Sequence, residues 1–113
     1  MQYTIYHNSR CSKSRQTLQL LQDNGIEPTV IEYLKTPLKK SELQDLCKQL
    51  GKRPKEVLRT KEDDFKNLNL DLENDDKVIE AIIKFPKILE RPIVSTGKKA
   101  VLGRPPEQVL ELI

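Results

Sequence analysis

The sequence predicts an α/β fold: a mixed four-stranded sheet with a helical insertion between an N-terminal βαβ unit and a C-terminal ββα unit. Three observations lead there. Two β-prone stretches flank an amphipathic helix within the first 34 residues, two more flank a turn near the C-terminus, and the segment between them has helical periodicity. At 113 residues the chain has the length of one domain. Leu, Ile, Val and Phe together supply 33 residues, enough for one hydrophobic core.

Residues 2–6 carry Tyr3, Ile5 and Tyr6 and read as the first strand, which runs into the polar loop His7-Asn8-Ser9-Arg10. From residue 12 to 24 the pattern turns helical. Leu18 and Leu21 share a face, Leu20 widens it, and Gly25 supplies the left-handed stop. Residues 29–34 are β-branched and aromatic, a second strand. Strand, helix and strand in this length form a βαβ unit with parallel strands.

Pro37 then breaks the chain. Ser41-Glu42-Leu43-Gln44 reads as a capping box, followed by Leu43, Leu46, Cys47 and Leu50 on one helical face and by Gly51. Pro54 opens a short helix to Leu58. Asp63-Asp64 and Asp75-Asp76 read as solvated turns and helix caps, and Lys39-Lys40 as a loop face. A helix over 75–85 turns Val78, Ile79, Ile82 and Ile83 inward and ends at Pro86. Residues 92–95 and 100–102 flank Thr96-Gly97-Lys98-Lys99 as a hairpin, and a last helix runs from Pro105 or Pro106 to Leu112. The order is that of a thioredoxin-like fold, a single domain over 1–113 with its helical insertion at about 38–90.

Composition narrows the partners. The net charge of +3 divides into +5 over residues 1–59, −4 over 60–90 and +2 over 91–113. No dense basic stripe results, and with no Trp and 4% aromatic residues there is no stacking platform, so nucleic acid is not an expected partner. A small anion needs only a few well-placed cations. No apolar run exceeds Ala81-Ile82-Ile83, which excludes a membrane-spanning helix and a signal-peptide core. Two cysteines, Cys11 and Cys47, make no disulfide framework, and the expected home is the reducing cytoplasm.

The informative stretch is His7-Asn8-Ser9-Arg10-Cys11-Ser12-Lys13-Ser14-Arg15. Cys11 falls where the first strand has ended and the first helix begins. Free N–H groups there carry about half a positive charge and stabilise a thiolate. Arg10, Lys13 and Arg15 add positive charge, and the Ser12 and Ser14 hydroxyls with the same N–H groups can hold an oxyanion. Nucleophile and anion site coincide, which favours a redox-active cysteine over one that only packs. A Cys-x-x-Cys dithiol is absent because Ser14 holds the second position. A phosphatase-type loop is absent because Thr17 stands where its Arg is required. His7 either tunes the thiolate, orients Ser14 or fills the loop. Cys47, among leucines, reads as a small core residue, and no ligand spacing supports a metal site.

These residues resemble the glutathione/glutaredoxin-coupled arsenate reductases and their reductase-like relatives. His7-Asn8-x-x-Cys11-x-x-Ser14-Arg15 is similar to the family's nucleophile loop. The resemblance continues through Glu32-Tyr33-Leu34-x-Thr36-Pro37, Leu58-Arg59, Glu90-Arg91-Pro92-Ile93-Val94 and Gly103-Arg104-Pro105, nearly the whole chain. Ser9 departs from it, since many members carry Pro there. The resemblance implies that Cys11 attacks arsenate while Arg59, Arg91 and Arg104 bind the oxyanion, and that Pro92 is the cis proline of the fold. Guanidinium forks at such rigid positions suit a tetrahedral anion.

What the resemblance implies is an oxidoreductase acting on arsenate or a similar oxyanion, with no bound cofactor and with glutathione as co-substrate. Glutaredoxin is the implied partner, and a monomer the expected form. Two other readings stand beside it: the same parts serving a glutathione-linked reduction of another substrate, or a non-enzymatic regulator that binds RNA polymerase. Ser14 removes the redox switch of such regulators, and the three arginines favour the enzyme.

Overall fold

A computed structural model describes residues 2–113. The chain divides into two compact units, Pro37–Glu90 and the flanking segments Met1–Thr36 with Arg91–Ile113. The flanking unit contains β1 (Thr4–Tyr6), α1 (Ser12–Asp23), β2 (Thr29–Ile31), β3 (Ile93–Ser95), β4 (Ala100–Leu102) and a closing 3-10 helix, Pro106–Leu112. Its sheet has the order β2-β1-β3-β4. β1 runs parallel to β2 and antiparallel to β3, and β4 runs antiparallel to β3. This is the mixed sheet that the element order predicts.

The strands are shorter than their β-prone stretches. β2 stops at Ile31 because the backbone then turns, with the N–H groups of Lys35 and Thr36 both donating to the Glu32 carbonyl. Pairing of Ile5 with Val94 puts both side chains on one face of the sheet. Leu21 from α1 and Val109 from the closing helix meet them there, and all four are fully buried. Each such aliphatic side chain contributes roughly 1.5–3 kcal/mol of burial. The closing segment is 3-10 rather than α-helical. Its inward residues Pro106, Val109 and Leu112 recur every three positions, the period of a 3-10 helix.

Gly103 fixes how closely α1 meets the strand ends. A Cβ on it would lie 2.6 Å from Thr17 Oγ1 and 2.8 Å from the Pro92 ring, so only hydrogen fits. Its N–H donates to the Pro92 carbonyl at 2.9 Å. Gly103→Ala is therefore expected to cost about 1–3 kcal/mol through overpacking, read as a lowered midpoint in thermal or urea unfolding. An unchanged midpoint would show that Thr17 and Pro92 yield freely.

The Pro37–Glu90 unit contains α2 (Lys40–Leu50), a 3-10 turn at Pro54–Val57, α3 (Asp63–Lys66), α4 (Asp75–Lys84) and a second 3-10 turn at Pro86–Ile88. Leu43, Leu46 and Cys47 of α2 and Val78, Ile79 and Ile82 of α4 are its buried faces. An antiparallel bridge between Leu58 and Leu89 ties the unit's middle to its end. The capping box expected at Ser41 is displaced. α2 begins two residues earlier with Lys39 at the cap, whose N–H donates to the Glu42 carboxylate at 3.0 Å. Gly51, at φ +68°, ends the helix in the left-handed region. α3 occupies the stretch that reads as a solvated turn, and Asn74 caps α4 by accepting from the Lys77 N–H. Among the described residues no helix is long and apolar enough to cross a membrane.

Candidate active site

The nucleophile loop follows directly from β1. The His7 N–H extends the β1–β2 ladder by donating to the Ile31 carbonyl at 2.8 Å, and the chain then turns on Asn8. The Asn8 carbonyl accepts from the Cys11 N–H at 3.0 Å, and its side-chain oxygen accepts from the Arg10 N–H at 3.0 Å. Asn and Asp favour such turns because their side chains bond the backbone two residues on. That signal was available in the sequence and gives Asn8 a part in shaping the loop.

Cys11 is the cap residue of α1, in extended conformation with φ −92° and ψ 122°, and its carbonyl accepts the first helical bond from Arg15. The first N–H groups of a helix have no partner within it. Here those of Ser14 and Lys13 face the thiol. Burial pushes the Cys11 thiol up, but the Ser14 N–H, the Arg91 charge and the Lys13 N–H outweigh it, and the pKa lies below the ordinary value.

The side-chain cation that acts on Cys11 is thus Arg91, not the neighbours that the sequence pattern puts forward. Arg10, Lys13 and Arg15 are exposed. Arg15 donates instead to the Ser9 carbonyl at 2.9 Å, bracing the loop. Sheet register brings Arg91 in: Tyr6 pairs with Ile93, so the residues preceding β3 lie beyond the end of β1, beside the loop. The Arg91–Pro92 and Arg104–Pro105 bonds are both cis. Nε and Nη1 of Arg91 are buried and bonded to no protein atom among the described residues. Arg104 is exposed, and its Nη1 reaches the Arg91 carbonyl at 3.5 Å.

Ser14 is fully buried. Its hydroxyl oxygen accepts from the Asn8 N–H at 3.1 Å and lies 2.6 Å from His7 Nδ1. The arrangement is satisfied when Ser14 donates to Nδ1 and the neutral ring keeps its proton on Nε2. Burial lowers the His7 pKa; Glu32 opposes this and Arg15 adds to it. His7 thus orients Ser14, one of the roles its sequence position allows. Ser12 is exposed on the first turn of α1.

Arg59 belongs to the Pro37–Glu90 unit, where its Nη1 pairs with Glu62 Oε2 at 2.9 Å. Cys47 is buried in the same unit, its thiol pushed up to about 11 by burial and by Asp75. Among the described residues no group of three or more His, Cys, Asp or Glu could hold a metal ion.

The two thiols are therefore chemically unequal. Alkylation by iodoacetamide is expected at Cys11 with a midpoint below the roughly 8.5 of a free thiol, while Cys47 stays unmodified at neutral pH. Equal reactivity of the two at pH 7 would contradict this electrostatic account.

A lowered thiol beside buried, unpaired guanidinium nitrogens is equipped to attack the central atom of an anionic oxygen compound. Comparisons with known proteins agree with that chemistry. Residues 6–112 match the ArsC family. The chain is 51% identical to the uncharacterized protein YfgD of Escherichia coli K12, over 99% of this chain and 97% of the relative. It is 45% identical to an arsenate reductase of Haemophilus influenzae over the full length of both. A solved arsenate reductase from Vibrio cholerae superposes with a TM-score of 0.91 at 44% identity, covering 100% of this chain and 98% of that one. The fold is thus thioredoxin-like, shared with arsenate reductases, and by the family match and end-to-end identity together the chain belongs to the ArsC family.

Proposed function

We propose that this protein reduces arsenate to arsenite through a covalent Cys11 adduct, with glutathione as reductant and glutaredoxin as the resolving partner. The observation that carries the reading is Arg91, whose buried Nε and Nη1 lack a protein partner among the described residues, beside a thiol of lowered pKa. Buried donors left unpaired cost about 1–3 kcal/mol each, a cost that an oxyanion between them and the sulfur would remove.

In the proposed sequence the Cys11 thiolate attacks arsenic, a sulfur–arsenic bond forms, and one arsenate oxygen leaves as water after protonation. Arg91 and Arg104 neutralise the anion as the adduct forms. The Ser14 and Lys13 N–H groups hold the sulfur in its charged form before attack. Glutathione then attacks the Cys11 sulfur. The sulfur–arsenic pair passes to arsenic, which leaves as arsenite, and Cys11 remains as a mixed disulfide with glutathione. Glutaredoxin removes that glutathione and restores the thiol. Arsenic gains two electrons and the two sulfurs of the disulfide supply them.

No bound cofactor is required, and the reading places the protein in the cytoplasm as a monomer, where glutathione is supplied. The test is arsenate-dependent consumption of NADPH with glutathione, glutaredoxin and glutathione reductase. Turnover that requires arsenate and all three additions is expected. Failure with arsenate, alongside glutathione-dependent turnover of another oxidised substrate, would reassign the substrate.

A further inference from the structure

We infer that the Cys11–Arg91 pair also reduces hydroperoxides, with a sulfenic acid on Cys11 as first product and a small thiol, glutathione, as reductant. The inference shares Cys11 and glutathione with the arsenate reading, but it holds whether or not arsenate is a substrate.

Everything the first step needs lies in one unit of the chain. Cys11 follows the loop after β1, and Arg91 opens the segment that leads into β3. Pairing of Tyr6 with Ile93 brings the two segments together. Cys11 is half-buried, open enough to meet a small solute. Arg91 acts on its sulfur both as a charge and as a hydrogen-bond donor. A guanidinium carries five N–H donors, and here Nε and Nη1 are buried and bond no protein atom among the described residues. An oxygen that approaches the sulfur therefore meets donors that are already desolvated.

A hydroperoxide has no net charge, so these donors act on it only as the reaction proceeds. The Ser14 and Lys13 N–H groups keep the sulfur charged beforehand. The Cys11 thiolate attacks the terminal oxygen of ROOH, a sulfur–oxygen bond forms, and the oxygen–oxygen bond breaks. The bonding pair leaves on the second oxygen as RO⁻, which takes a proton from water and departs as ROH. Negative charge grows on that oxygen during the step, and donors placed for it lower the barrier. Sulfur loses two electrons to become the sulfenic acid, and the peroxide gains them.

Ser14 stands where a Cys-x-x-Cys motif would carry its second thiol, and the Cys47 thiol is pushed up to about 11. The sulfenic acid therefore takes its second thiol from solution. Glutathione attacks the sulfenic sulfur, water leaves, and Cys11 carries a mixed disulfide. Another glutathione restores the thiol and departs as glutathione disulfide. In sum, ROOH and two glutathiones give ROH, water and one glutathione disulfide.

The test uses the full reduced chain without arsenate. Hydrogen peroxide is added, and the sulfenic acid is trapped with dimedone and located by peptide mass spectrometry. The rate is followed across pH and divided by the thiolate fraction, which removes the effect of ionisation alone. The adduct is expected on Cys11 and not on Cys47. The rate per thiolate is expected at least about tenfold above that of free glutathione, and about tenfold lower in Arg91→Ala. Arg91→Lys keeps the charge on a smaller donor head and is expected between the two. Circular dichroism checks that each variant keeps its fold. A rate per thiolate no higher than that of glutathione, or one unmoved in both folded Arg91 variants, would overturn the inference.

With glutathione, glutathione reductase and NADPH, hydrogen peroxide should be consumed faster than in a Cys11→Ser blank. A sulfenic acid that forms but never turns over would overturn the catalytic claim. Turnover of peroxide without turnover of arsenate would remove the arsenate reading and uphold this one, so the two failures are distinct.

Discussion

Cys11→Ser is expected to bring arsenate turnover down to the background rate while leaving the fold intact. The serine hydroxyl stays protonated where the thiol ionises, so the same N–H groups and Arg91 have no charged nucleophile to hold. Cys11 is the only one of the two cysteines with a lowered pKa, and it is half-buried at the start of α1. Cys47→Ala should keep most of the turnover and lose about 1 kcal/mol of stability, the cost of a small cavity on the buried face of α2. The pair of variants separates nucleophile from core residue. Equal loss of turnover in both, with unaltered folding, would remove the single-nucleophile account.

Arg91→Ala is expected to have the next largest effect, lowering kcat/KM by about 10²–10³-fold, as when one donor to a developing anion is removed. The same change should raise the pH at which Cys11 is alkylated, because its largest side-chain stabiliser is gone. It should not lower the melting temperature. Two unpaired buried nitrogens are a burden on the fold, and removing them leaves stability equal or higher. Arg91→Lys should restore the charge and part of the thiol's reactivity without restoring the two-pronged grip. Loss of activity accompanied by unfolding, or with the thiol's alkylation profile unmoved, would show that Arg91 supports the fold and not the chemistry.

Much of this architecture is legible in the sequence because it is written locally. The switch from β-prone residues to helical spacing at Cys11 marks a strand end and a helix start, and the structure places the thiol there as the cap of α1. Thr96-Gly97-Lys98-Lys99 likewise specifies its own turn, closed by the Thr96 N–H on the Lys99 carbonyl at 2.9 Å. The cation at the thiol is different. Arg10, Lys13 and Arg15 are near in sequence, but side chains at a helix start point outward as readily as inward. Arg91 arrives through pairing of strands about 90 residues apart in sequence, and no local pattern encodes that. The resemblance to arsenate reductases named Arg91, while its action on the thiol emerged from register.

Smaller differences have similar causes. α2 starts at Lys40 because Glu42 can accept from the Lys39 N–H as well as Gln44 could from Ser41, and the carboxylate is the stronger acceptor. Glu62 was invisible as a partner of Arg59, since a three-residue spacing pairs side chains only if the backbone turns between them. That turn depends on the Leu58–Leu89 bridge, again a contact between distant segments.

The central claim is that Cys11 carries the chemistry and takes its second thiol from outside the chain. The most direct measurement omits glutaredoxin, so that the cycle stops after one turn. Protein is incubated with arsenate and glutathione, arsenite is quantified, and the intact protein and its peptides are weighed by mass spectrometry. The account predicts one arsenite per chain and one glutathione on Cys11, with Cys47 unmodified. Arsenite formed together with a Cys11–Cys47 disulfide, or formed with Cys11 left as a free thiol, would contradict it.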